Sequence, residues 1–229
     1  MPFERRRRAP RRVAVIGAGI SGLSAAHYLS SNDAVVLFEA EGRLGGHART
    51  IVAGRNANQP VDTGFIVFNH ATYPNFTTLL SQLGVPEQDA PMTFSVRCDR
   101  TGLEYQGGTL LGLFAQRRNL FRPSFYRMLR DILRFNREAP GLLTREDDAL
   151  TLDDYLQDSG YSKQFVEHYL APMGAAIWST PPGQFRRFPA RYTVGFFRNH
   201  GLLQLRDRPQ WKTIVGGAVN YVEAVSYTH

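Results

Sequence analysis

A single cysteine, Cys98, stands among 229 residues. That excludes an intrachain disulfide and any C-x-x-C redox or zinc pair, and it makes a reducing cytoplasm the simplest address. The six histidines show neither H-E-x-x-H nor any other paired ligand spacing, and no G-x-S-x-G elbow occurs. Metal-assisted and acyl-transfer chemistry therefore have nothing to stand on. No apolar run approaches the ~18 residues of a membrane span. Repeats and low-complexity linkers are missing too, so the chain reads as one large or two small domains with a substantial core.

Acidic residues are also in deficit. The formal charge is +7, but Arg5 to Arg8, Arg11 and Arg12 against Glu4 put +5 on the first twelve residues and leave +2 for the remainder. Such a run reads as a solvated, disordered extension rather than an arm for nucleic acid or anionic lipid. The apolar stretch behind it is interrupted by Gly17, Gly19 and Gly22, which is wrong for the core of a secretion signal.

That interrupted stretch is the most informative in the chain. Residues 13–16 are apolar and suited to a buried parallel strand, and they run into Gly17, Gly19 and Gly22 in the G-x-G-x-x-G arrangement. Gly17 permits the tight turn, Gly19 lets a pyrophosphate approach the backbone, and Gly22 lets the helix lie close to the strand. The helix opening at Ile20 and Ser21 offers free N–H groups and the positive end of its dipole to phosphate. Ala25, Ala26 and Leu29 supply a small packing face, and residues 34–38 form a second strand that delivers Glu39, 22 residues after Gly17. A carboxylate there accepts ribose hydroxyl hydrogen bonds and repels a 2′-phosphate, while nearby Arg43 keeps an NADP-like reading open.

Residues 43–50 read Arg-Leu-Gly-Gly-His-Ala-Arg-Thr. Here the chain resembles the flavoprotein superfamily of amine oxidases, phytoene desaturases and protoporphyrinogen oxidases, in which an R-x-G-G-R-x-x-[ST] motif wraps the FAD diphosphate and ribose. Arg43, Gly45, Gly46 and Thr50 match it, and His47 stands where arginine is usual. The run from Val61 to Asn69, including Gly64 and Phe65, then Thr72 to Asn75, Trp178 to Pro181 and Arg208 to Lys212, are similar to a bacterial branch of NAD/FAD-binding oxidoreductases. The resemblance implies cofactor contacts from Gly17, Gly19, Ile20, Ser21, Gly22, Glu39, Arg43, Gly45, Gly46, His47, Thr50, Gly64 and Phe65.

Further along, residues 50–52 and 61–68 read as strands around a polar loop, and Pro74 starts a helix that Gly84 ends. Residues 92–98 and 103–106 form a hairpin across Asp99 to Gly102. Helical patterns then dominate to about residue 180, with Thr151 and Asp154 as a capping box, Gly160 as a stop and Ser162 as the next cap. Between Pro123 and Glu138, Phe125, Met128, Leu129, Ile132 and Phe135 fall on one face, with Arg127, Arg130, Arg134 and Arg137 on another. The pattern suits either an ordinary surface helix or a membrane-surface helix. Trp178, Phe185, Phe188, Tyr192, Phe196, Phe197 and Trp211 suit either core packing or an apolar substrate channel. Arg186 and Arg187 suit an anionic substrate group or plain solvation. His200 and Lys212 are the polar side chains worth testing for chemistry, and no catalytic residue is assigned.

These readings give an α/β fold: a Rossmann-like FAD-binding domain with an inserted, mainly helical and antiparallel-strand substrate domain. The expected divisions are a basic tail at 1–12, FAD-binding domain at 13–75, substrate domain at 76–208 and a return to the FAD-binding domain at 209–229. The resemblance implies an FAD-dependent oxidoreductase moving a hydride from a substrate C–H to flavin N5. Its substrate would be an amine, or a lipid or isoprenoid, in a cytoplasmic protein with peripheral membrane contact as an option and no nucleic-acid partner. The alternative is a non-catalytic NAD/FAD sensor or an inactive fragment. The resembled fold also continues beyond a segment like Gly216-Gly217 and its helix, so its C-terminal part is expected to be missing here.

Overall fold

The structure, a computed structural model, describes residues 9–227 except 57, 146 and 206. Most of the expected basic tail thus lies outside the described residues. Its last members do not: Arg11 pairs with Asp33 at 2.7 Å, and Arg12 is the first residue of a strand. The tail reading is corrected for these two residues, because a carboxylate and a partner strand both engage them.

The chain forms two compact units, residues 1–91 with 210–229 and residues 92–209. In the first, strand β1 (Arg12–Ile16), helix α1 (Ile20–Ser30) and strand β2 (Ala34–Phe38) make a parallel β-α-β unit with Arg12 opposite Ala34 and Ile16 opposite Phe38. Alternation puts Val15, Val35 and Leu37 on the less exposed face and Ile16, Val36 and Phe38 on the exposed one. β3 (Thr50–Ala53) and β4 (Gln59–Asp62) pair antiparallel. The strand expected over 61–68 therefore stops at Asp62, because Phe65 N–H turns back to the carbonyl of His47 at 3.1 Å. α2 (Pro74–Leu83) starts on its proline and ends at Gly84, whose φ of 66° places it in the left-handed region that glycine tolerates.

β5 (Glu87–Asp89) completes this part of the first unit. Its partner is distant in sequence, so the expected boundary at 75/76 moves to 91/92.

The second unit opens with the expected hairpin, β6 (Ser95–Cys98) and β7 (Leu103–Gln106). It continues through α3 (Leu110–Leu113), a 3-10 turn (Arg117–Phe121), α4 (Pro123–Glu138), a second 3-10 turn (Ala139–Thr144), α5 (Leu152–Asp158) and α6 (Lys163–Phe165). Thr151 and Ser162 accept from Asp154 and Phe165 N–H as the capping pattern predicts. A π-helical turn (Val166–Leu170) leads into α7 (Ala171–Trp178). Pro172 has no N–H to give the carbonyl of His168 four residues earlier, and that carbonyl instead accepts the Tyr105 hydroxyl at 2.7 Å. α8 (Pro182–Phe185) and α9 (Ala190–Asn199) close the unit. Its core gathers Phe135, Leu156, Phe165, Phe185, Val194 and Phe197.

Two open readings concern this unit. Trp178 stacks on Phe185 at 5.4 Å and on Phe197 at 6.1 Å, and both phenylalanines are buried, so these three are packing, whereas Tyr192 is 55% exposed. On α4, Phe125, Met128 and Phe135 are buried, and Arg134 bonds Glu138 and the Ser159 carbonyl while covering the Tyr161 ring. Its apolar stripe is largely spent on the core, with Leu129 and Ile132 half-buried.

The chain returns to the first unit through β8 (Lys212–Ile214), antiparallel to β5, and α10 (Val219–Tyr227). Buried Leu23, Phe68, Leu80, Ile214, Tyr221 and Val225 form that unit's core. Among the described residues no helix is long and apolar enough to cross a membrane.

Candidate functional site

The glycine loop between β1 and α1 is pinned by backbone hydrogen bonds. Gly17 N–H donates to the Phe38 carbonyl at 2.7 Å, and Gly45 N–H donates to the Ala18 carbonyl at 2.8 Å. Gly17 has φ of 92°, so the tight turn needs glycine there. A methyl group at Gly22 would overlap the Gly17 carbonyl oxygen, and one at Gly64 would overlap the carbonyl of His47. Gly19 differs, because a methyl there meets no atom within 4 Å. The close helix–strand approach at Gly22 and the open space at Gly19 are the two properties the motif demands.

Open space at Gly19 lies at the mouth of α1. Gly19 is extended, no side chain caps the helix, and the first-turn N–H groups at Ile20, Ser21 and Gly22 have no acceptor inside the helix. A cleft of about 480 Å³ is lined here by Gly17, Gly19, Ile20, Ser21, Gly22, Gly45, Gly46, His47 and Phe65. Nine of the thirteen expected residues thus meet in one place. Ile16, Ala48, Tyr73, Phe76 and Tyr221 complete the lining. Phe76 sits edge-on to Phe65 and Tyr221, each at 5.3 Å between ring centres, which makes an apolar wall.

The four other expected residues hold the surroundings. Glu39 Oε2 accepts from Ala18 N–H at 2.7 Å, and Oε1 accepts from Ala40 and Glu41 N–H at 2.8 and 2.9 Å. The N–H of Glu41, then that of Ala18, holds this carboxyl below the usual glutamate range. Arg43 Nη1 donates to the Gly46 carbonyl at 2.8 Å and braces the second glycine turn. Thr50 donates to Asp62 and accepts from Val219 N–H at 3.0 Å, and Asp62 accepts from Ala218 N–H at 2.9 Å. Thr50 therefore fixes the start of α10, the helix that brings Tyr221 to the cleft, and does not line the cleft itself. Gly64 is the point of close approach to His47 already noted.

Tyr73, Phe76 and Tyr221 went unassigned in the sequence. Tyr73 lies in the Thr-Tyr-Pro-Asn run that carried part of the resemblance, whereas Tyr221 has no local signal. Burial raises both tyrosines, Tyr221 to about 12 with the charge of Asp62 adding to it, so both stay neutral donors at neutral pH. Among the described residues the cleft offers backbone N–H groups, the Ser21 hydroxyl, one imidazole and two phenols, and no carboxylate lines it. Such a set suits an anionic, partly apolar ligand. Among the described residues no group of three His, Cys, Asp or Glu side chains is placed to hold a metal ion.

The remaining polar candidates lie elsewhere. Lys212 Nζ pairs with Glu87 and Asp89, each at 3.1 Å, across the β5–β8 ladder, and these two carboxylates raise its pKa. His200 stacks on Phe196 at 3.9 Å. Arg186 pairs with Asp153 at 3.1 Å, and Arg187 is exposed.

The chain is similar to several known proteins. Protoporphyrinogen oxidase 2 of Arabidopsis thaliana is 40% identical over 79 residues, covering 34% of this chain and 15% of its own. The protoporphyrinogen oxidase of Bos taurus is 33% identical over 132 residues, covering 53% and 28%. Cyclohexylamine oxidase from Brevibacterium oxydans superimposes with a TM-score of 0.70 at 19% identity, over 96% of this chain and 49% of that one. The chain thus spans less than a third of those curated relatives and about half of that solved structure. The sequence profile of flavin containing amine oxidoreductases matches residues 20–196, well over half of the chain. The chain belongs to the flavin containing amine oxidoreductase family.

Proposed function

We propose that the first unit is a Rossmann-like domain whose cleft holds the diphosphate of FAD, and that the second unit, residues 92–209, is a substrate domain. The observation that carries this reading is the open space at Gly19 before the uncapped N–H groups of α1. Ile20, Ser21 and Gly22 N–H groups would bind phosphate oxygens, helped by the helix dipole. Glu39 would accept ribose hydroxyls on its remaining lone pairs, already oriented by its three backbone donors. His47, Gly45 and Gly46, braced by Arg43, would close over the diphosphate, while Gly64 and Phe65 back them and Thr50 anchors α10. The wall of Phe65, Phe76 and Tyr221 would exclude water from the cofactor.

The bound flavin supplies the redox chemistry, acceptance of hydride from a substrate C–H, and asks of the protein orientation and a dry site. An oxidoreductase acting on a small molecule follows as our reading, with an amine or a lipid as its substrate. Purified protein should show a flavin spectrum, and anaerobic addition of candidate amines and acyl lipids should bleach it with one class. Flavin binding without bleaching by either would leave a nucleotide-binding role alone.

We also propose that further chain belongs to the fold. A parallel sheet is normally covered on both faces. Here Ile16, Val36 and Phe38 leave one face of β1–β2 at least half exposed. Additional elements packed on that face would complete the domain.

A further inference from the structure

The second unit carries a surface that the cofactor site does not use. Residues 105–130 contain five arginines and no acidic residue. Within them the chain folds into a tight lobe against β7 and α4. Thr109 caps α3 by accepting Gly112 N–H at 3.0 Å, buried Asn119 donates to the Glu104 carbonyl at 2.9 Å, and the Tyr126 hydroxyl donates to the Leu120 carbonyl at 3.1 Å. Leu113 and Phe114 point to the core around Phe125 and anchor the lobe. Three other large apolar side chains do the opposite: Leu110 is 77%, Leu111 87% and Phe121 85% exposed. Burying such groups is worth too much for three of them to stand in water on one anchored lobe without a partner.

Charge identifies that partner. Arg117, Arg118 and Arg127 form no ion pair among the described residues, and Arg130 reaches only Asp131, at 3.8 Å. The flanking acids are engaged, Glu104 with Arg97 and buried Asp131 with the N–H of Ser162. We propose that the lobe of residues 109–130 is a docking surface for an anionic lipid bilayer, with Leu110, Leu111 and Phe121 entering the acyl boundary and the arginines lying at the headgroups. A second copy of the chain would bring five arginines against five. A nucleic acid would pair the arginines and leave Leu110 and Leu111 in water. Anionic lipid satisfies both halves of the surface at once. The contact differs from the membrane-helix reading, since the α4 stripe is largely buried in the core. It is independent of the FAD assignment and rests on the lobe staying uncovered by the further chain proposed above.

Vesicle co-sedimentation of the full chain tests this, using phosphatidylcholine alone and phosphatidylcholine with phosphatidylglycerol, at low and high salt. Binding should need the anionic lipid and fall with salt. Arg117→Gln, Arg118→Gln and Arg127→Gln together should weaken it about 100-fold, at roughly fivefold per arginine. Leu110→Ser with Leu111→Ser should also weaken it, at unchanged thermal stability. Because the arginines of residues 5–8 could bind vesicles by themselves, Phe121→Trp supplies a separate readout. Brominated acyl chains should quench its added fluorescence, beyond any change seen in the parent. Vesicle binding without that quenching would overturn the proposal. So would concentration-dependent self-association, abolished by the leucine substitutions, in a protein that ignores vesicles.

Discussion

The same added methyl group should have opposite consequences at two glycines three residues apart. At Gly22 the new Cβ would overlap the Gly17 carbonyl oxygen. Relief requires that peptide to rotate, and two loop hydrogen bonds depend on its position, Gly17 N–H to Phe38 and Ala18 N–H to Glu39. Overpacking of about 1–3 kcal/mol and two hydrogen bonds at about 1 kcal/mol each give a cost of about 3–5 kcal/mol. At about 2–4 °C per kcal/mol for a chain of this size, Gly22→Ala should lower the melting temperature by roughly 6–20 °C. At Gly19 the Cβ meets nothing, and its φ of −72° with ψ of 179° is open to any residue. Gly19→Ala should therefore stay within about 0.5 kcal/mol of the parent or gain slightly from a stiffer unfolded chain. Thermal unfolding followed by circular dichroism measures both. Equal melting temperatures for Gly22→Ala and the parent would refute the packing argument for the loop.

Three more outcomes follow. Thr50→Ala removes a bond to Asp62 and the acceptor for Val219 N–H, so it should cost about 1–2 kcal/mol in denaturant unfolding although Thr50 does not line the cleft. Glu39 is held below the usual value by backbone donors, so the stability it gives is present above its unfolded pKa of about 4.3 and is lost as pH falls through its lower folded value. Glu39→Gln should thus remove part of the parent's acid-side loss of stability, and parallel melting curves across that window would contradict it. Finally, Val36→Ser with Phe38→Ser should reduce binding of an apolar fluorescent dye if those side chains form the uncovered sheet face.

The legible parts of this molecule are those whose physics is local. Strand, glycine turn, helix and acid occupy some 27 consecutive positions, and the constraint at each glycine arises from neighbours within that span. Caps at Thr151 and Ser162, the proline start of α2 and its Gly84 stop are local in the same way. Reading failed where partners are distant. β5 is Glu-Gln-Asp and carries no apolar alternation, so nothing local says that it pairs with residues some 125 positions later or that the unit boundary lies beyond it. Thr50 matches a cofactor motif, yet its bonds run to Asp62 and to α10. Tyr221 reaches the cleft only because that network places its helix. The aromatic run near residues 178–197 was ambiguous because channel linings and cores use the same side chains, and only the packing around Trp178 separates them.

Titration of FAD into the purified chain, followed by flavin fluorescence and compared with Gly19→Val, tests the central claim most directly. The parent should bind saturably with one FAD per chain. Valine at Gly19 should leave a folded protein, because its Cβ meets no atom within 4 Å, and lose at least about 100-fold in affinity, the worth of two charge-assisted hydrogen bonds from the α1 N–H groups. Equal affinity in the two proteins, or no binding by a folded parent, would contradict the assignment of this cleft.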